Sequence, residues 1–298
     1  MGRRSILVPA VVLLLAACGP VTSPSPTAGP SAAVLESDIA VDGERTLHIV
    51  CVGSSDPGRP TVVFENGRGP SLSTWSSVMD KIKATHRACA YDRAGVGRSA
   101  PASAPRTTQD QVDDLATLLA AAGVSGPIVL VAHSAGGWNA ILYTAAHPEQ
   151  VAGAVLVDIL PPGLEGRLVE VLPLETPDEP AAIHQARDDF TIPRTDPSMN
   201  PENLLVAQSE VEVMAAPGFG ARPTEILWAT NTQLKVWPDF PPDLAERLNA
   251  AIDEQLRSVE ALADDPAVTQ VDSGHAIQEE QPEVVIEAIR RVLGQLEP

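Results

Sequence analysis

The residues best suited to chemistry begin with Ser134. Ile128 to Ala132 is an unbroken aliphatic run after a Gly-Pro turn, which predicts a strand buried on both faces of a parallel sheet. It runs into Ala132-His133-Ser134-Ala135-Gly136, and a helix-compatible segment from Gly137 to Ala146 follows at once. A strand, a serine among small residues and a helix together make a nucleophile elbow, in which a sharp turn exposes the hydroxyl above the sheet and the helix N-terminus lies beneath it. Ala132 stands where G-x-S-x-G has its first glycine, so one methyl must be accommodated there. A neutral serine hydroxyl attacks poorly; an imidazole must take its proton, and fixed donors must stabilise the oxyanion that develops. Asp158 and His275 are further candidates, because each stands just beyond a predicted strand: Asp158 ends VAGAVLVD, and His275 follows AVTQV in Asp272-Ser273-Gly274-His275.

The elements that must position these groups alternate along the chain. Thr46 to Val52, Thr61 to Glu65, Arg87 to Tyr91, Val151 to Asp158, Thr224 to Ala229 and Ala267 to Val271 read as strands, mostly of the continuous buried type. Helices are expected over Trp75 to Lys83, Thr108 to Ala122 (with Thr107 or Thr108 as N-cap), Leu244 to Leu262 and Glu283 to Leu293. This alternation predicts an α/β domain: a parallel sheet covered by helices on both faces, with sites at the strand C-termini. It is interrupted from Pro161 to Pro223, a Pro-rich, acidic insert with helical fragments at Gly166 to Leu172 and Asn203 to Met214.

Composition narrows the partners. The chain has 298 residues and a formal charge of −19, with no Lys/Arg cluster in its body, so nucleic acid and anionic lipid are not expected to bind the folded part. No C-x-x-C pair, H-E-x-x-H or Walker loop occurs, so no metal and no cofactor are expected. Residues 1–17 have a charged start at Arg3-Arg4 and a short apolar run, closed by Leu15-Ala16-Ala17 before Cys18. That string resembles the lipobox of bacterial lipoproteins, which implies cleavage before Cys18 and lipidation of its thiol. Residues 18–34 continue as a Pro/Ser/Thr-rich tether that cannot bury a core. The expectation is an exported protein, lipid-anchored at the cell membrane or secreted, with residues 35–298 as the folded domain.

FENGRGPSLSTW, CAYDRAGVGRS, VLVAHSAGG and DSGHAIQEEQPEVVIEAI resemble successive blocks of the α/β-hydrolase fold superfamily. The blocks cover nearly everything from Thr46 to Leu293 apart from the insert. The resemblance implies an eight-stranded, mostly parallel sheet, with the 161–223 insertion as a helical cap. It also implies a serine hydrolase with Ser134 as nucleophile, His275 as general base, and the backbone N–H groups of Ala135 and Arg68 as oxyanion donors. Family members usually carry His-Gly where this chain has Asn66-Gly67. Most place the acid in the loop after the strand equivalent to Thr224 to Ala229, but here that loop, through Gln233, has no carboxylate. Chain order therefore points to Asp158, with Asp239 as the alternative and Asp272 a further one. In the family's strand order the strands carrying Cys51 and Cys89 are neighbours, and with Cys18 assigned to the lipid these two are expected to form a disulfide. His133 and Trp138 are expected to pack, and the Asp92 to Ser99 turn to shape the fold.

The chemistry expected is cleavage of a small-molecule carboxylic ester, or less readily an amide, through an acyl-serine intermediate. An acyltransferase would use the same residues, and a non-catalytic envelope binding protein would have no need of an intact Ser134 and His275.

Overall fold

The computed structural model describes residues 34–297 except 57, 103 and 233–236; the signal segment, Cys18 and nearly all of the tether lie outside the described residues. Eight strands form one sheet: β1 (Val34–Ala40), β2 (Thr46–Val52), β3 (Thr61–Glu65), β4 (Ala88–Tyr91), β5 (Ile128–His133), β6 (Val151–Val157), β7 (Thr224–Ala229) and β8 (Ala267–Val271). Their order is β1-β2-β4-β3-β5-β6-β7-β8. β2 pairs antiparallel with β1 and with β4, and every pair from β4 to β8 is parallel. The fold is thus the α/β architecture expected, with eight mostly parallel strands and helices on both faces. Cys51 lies directly opposite Cys89 in the β2–β4 register, and the two are disulfide-bonded.

Strand periodicity divides the core in two. Leu130, Ala154 and Leu156 face one cluster with Leu115 and Leu118 of α2 (Thr108–Ala121) and Ile141 of α3 (Gly136–Ala146). Their neighbours Val129, Val131, Val155 and Val157 face the other, with Val78 of α1 (Ser76–Ile82) and Val285 and Ile289 of α8 (Pro282–Leu296). Strands buried on both sides have no polar face, so they read as continuous aliphatic runs. α2 starts on a capping box, in which Thr107 accepts from the Asp110 N–H and the Asp110 carboxylate accepts from the Thr107 N–H.

Two features depart from the sequence reading. Val34, assigned there to the tether, is the first residue of β1, a half-exposed edge strand. The insert also divides in two. Its first half, α4 (Leu164–Val171) and α5 (Ala181–Thr195), packs with Leu244, Leu248 and Ile252 of α7 (Pro242–Glu260) around a separate small core, so α7 belongs to the cap layer. Its second half, including α6 (Val206–Met214), sends Leu204, Val206, Val213 and Phe219 into the main core. Among the described residues no helix is long and apolar enough to cross a membrane.

Candidate active site

Ser134 follows β5 with a positive φ of 51°, a conformation that costs a non-glycine residue energy and persists only where its surroundings enforce it. Here they do. The Ser134 carbonyl accepts from the N–H groups of Gly137 and Leu160, at 3.0 Å each. Leu160 is held in turn by the Trp138 indole, which donates to its carbonyl at 2.8 Å. Space allows little variation at the elbow. A methyl on Gly136 would lie 2.4 Å from the carbonyl oxygen of Asn66, and one on Gly67 would lie 3.1 Å from Cβ of Ser134. The Ala132 methyl, by contrast, is fully buried in the main core between β3 and β6.

Asp158 directly follows β6 and also has a positive φ, 43°. Its Oδ1 accepts from the Ala229 N–H at 3.0 Å, and its Oδ2 accepts from Nδ1 of His275 at 2.6 Å. A carboxylate can only accept here, so Nδ1 carries the proton and Nε2 is the basic nitrogen. Asp239 is exposed in the turn before α7. Asp272 is engaged by Asn231, whose amide donates to it at 2.6 Å. Of the carboxylates weighed from sequence, then, the structure brings Asp158 to the imidazole.

Ser134, Asp158 and His275 line one cavity of about 270 Å³, walled by Ile159, Leu160, Pro161, Leu164, Trp228, Thr232 and Leu256. Pro161 and Leu164 come from the insert and Leu256 from α7, so both parts of the cap layer reach the site. A larger, more polar cavity of about 360 Å³ shares Asp158, Trp228, Thr232 and Leu256 and adds Arg257, Glu260 and Gln270, but Ser134 does not line it. None of the histidines besides His275 lines either cavity.

The loop after β3 lies against the elbow. Asn66, in the place of the usual histidine, is held by its own side chain, which donates to the Tyr91 carbonyl at 3.1 Å and accepts from Thr74 at 3.1 Å. The Arg68 guanidinium turns toward Glu165 of α4, 3.7 Å away. Ala135 opens α3 in helical conformation, which places its N–H at the positive end of the helix dipole. Asp92 shapes the turn after β4, accepting from the N–H groups of Leu72 at 2.7 Å and Arg98 at 2.9 Å.

A model of the alpha/beta hydrolase family matches residues 62–288, which contain every residue of the site. The chain belongs to the alpha/beta hydrolase family. It is 40% identical to the uncharacterized protein YqjL of Bacillus subtilis over 98 residues, which span 33% of this chain and 39% of that protein, so the likeness covers well under half of that relative. It is 29% identical to Lipase LipV of Mycobacterium tuberculosis over 274 residues, 83% of this chain and 98% of that one. Among solved structures, wild-type Cfl2 from Burkholderia cenocepacia shares the fold with a TM-score of 0.60 at 22% identity, over 87% of this chain and 95% of that one.

As to metals, Glu175, Glu179 and His184 on the cap bring ligand atoms within 4.8 Å of one another. Glu179 is already bonded to Arg187 at 2.9 Å, and none of the three lines the cavity with Ser134.

Proposed function

We propose that the protein is a serine hydrolase that cleaves a carboxylic ester through an acyl-serine intermediate. The observation that carries this reading is the 2.6 Å bond between His275 Nδ1 and Asp158 Oδ2 at a cavity that also contains Ser134. In this reading Ser134 Oγ attacks the ester carbonyl carbon and Nε2 of His275 takes the hydroxyl proton. Asp158 fixes the tautomer and stabilises the imidazolium. The N–H groups of Ala135 and Arg68 hold the oxyanion. Collapse breaks the bond to the leaving alkoxide, which receives the proton from His275. Water then repeats the sequence on the acyl-serine, releasing the carboxylic acid and restoring Ser134.

Ile159, Leu160, Pro161, Leu164 and Leu256 suit an apolar acyl or alkyl group of modest size. LipV, similar over nearly its whole length, is named a lipase, which supports an ester rather than an amide. The same reading places the protein at the cell envelope, exported and held by lipid on Cys18. Its support is the residue pattern of the first 34 positions together with the Cys51–Cys89 bridge, which suits an oxidising compartment.

A fluorophosphonate probe tests the chemistry. Wild type is expected to be labelled and to hydrolyse p-nitrophenyl esters, and Ser134→Ala to do neither. Equal labelling of both proteins would remove Ser134 from the role, and a wild type that is neither labelled nor active would leave a binding protein.

A further inference from the structure

A buried ionic network that the reaction itself does not use lies under the loop carrying the proposed Arg68 donor. Arg93, on the turn after β4, is 4% exposed. Its Nη1 donates to the Asn66 carbonyl at 2.7 Å and to Glu65 at 3.2 Å, and its Nη2 donates to the Gly67 carbonyl at 2.7 Å. Nε and Nη2 donate to the two oxygens of Glu202, at 2.7 and 2.9 Å. Glu202 belongs to the insert, 109 residues further along the chain, and it also accepts from the Gly69 N–H at 2.9 Å and from Gln111 at 2.7 Å.

The geometry of one peptide unit gives this network a consequence. The Gly67 carbonyl and the Arg68 N–H belong to the same planar trans peptide, so they point in opposite directions. Drawing the carbonyl down onto Arg93 turns the N–H away from Arg93, while the bond from Gly69 to Glu202 fixes the next peptide. Two carboxylates compete for the guanidinium. Burial pushes Glu65 up to about 7 despite Arg93, whereas at Glu202 burial, the largest single effect, is outweighed by the attraction of Arg93 together with the hydrogen bonds from Arg93, Gly69 and Gln111, which hold the carboxyl below its usual range. By geometry too the closer pair is Arg93 with Glu202, bidentate at 2.7 and 2.9 Å against a single contact of 3.2 Å to Glu65.

We infer that Arg93 and Glu202 are positioning residues for the oxyanion donor, so that the insert, through Glu202, sets the aim of the Arg68 N–H. This rests on the acyl-serine reading. Positioning of this kind acts on the transition state and not on ground-state binding, and the loss of one oxyanion donor typically costs 10²- to 10³-fold in kcat.

The test is Glu202→Gln, which keeps the shape but not the charge, assayed per titratable site on p-nitrophenyl butyrate. The expected result is a fall in kcat of ~10- to 100-fold, with KM changed less than ~3-fold. The rate of fluorophosphonate labelling and the affinity for butylboronic acid, which forms a tetrahedral adduct on serine, should fall by similar factors, and inhibition by butyrate should stay the same. Gln111→Met, which removes one of the hydrogen bonds to Glu202 while leaving the ion pair, is expected to shift the same quantities in the same direction by a smaller factor. It keeps the test decisive should Glu202→Gln fail to fold. A labelled, active wild type whose folded variant retains kcat, or loses only KM, overturns this inference alone. A wild type that is not labelled overturns the acyl-serine reading, and this inference with it.

Discussion

His133 packs against His275, with ring centroids 4.5 Å apart, and its Nε2 donates to the His275 carbonyl at 3.0 Å. The residue beside the proposed nucleophile thus supports the backbone of the proposed base. Burial, aided by the charge of the neighbouring His275, pushes the His133 imidazole down from 6.5 to about 4. The unfolded chain takes up the proton first. His133 therefore contributes stability above pH 6.5, and that contribution is lost as the pH falls through about 4. Between pH 7.5 and 4.5 wild type should lose ~2 kcal/mol more than His133→Gln, read from urea unfolding at both pH values. Equal losses would show that His133 does not titrate across this range.

The acid of the proposed triad gives a ranking. Asp158→Asn should lower kcat by about 10⁴-fold, roughly 5 kcal/mol, because it withdraws the carboxylate from Nδ1 and permits the wrong tautomer. Asp239→Asn should stay within about tenfold of wild type. Steady-state kinetics on both variants, at matched melting temperatures, check the order, and the reverse ranking would move the acid to Asp239.

The two ends of the elbow motif should respond oppositely to a single methyl. Gly136→Ala drives Cβ against the carbonyls of Asn66 and Glu65, so it should cost ~1–3 kcal/mol and reduce turnover by displacing the loop. Ala132→Gly removes a buried methyl and should cost about 1 kcal/mol with kcat within about threefold. Thermal melts and p-nitrophenyl ester kinetics decide both.

Much of the fold was legible because buried parallel strands leave continuous aliphatic runs, and the candidate site because those strands end at one edge of the sheet. Asp158 could be read for a negative reason: the loop after β7 offers no carboxylate before residue 233. β1 was not legible, since its VLESDIA alternates between exposed and half-buried positions and carries charges on an edge strand. Nor was α5, which has Pro193 in its last turn and buries only Ile183 and Ala186. The Arg93–Glu202 pair leaves no local trace, because an ion pair between distant segments has neither period nor spacing. The insert reads as one cap because its Pro-rich composition hides the point, near Thr195, where the chain returns to the main core.

That division of the insert bears on how such a protein can diversify. Leu164–Thr195 rests on a small core of its own shared with α7, so relatives could exchange or reshape it and alter the chamber above Ser134 while the sheet keeps its packing. The stretch from Asn200 to Phe219 has no such freedom, because it carries core side chains and Glu202 together. Recombination that respects this boundary would retune the chamber; recombination that cuts across it would remove part of the floor on which the loop after β3 stands.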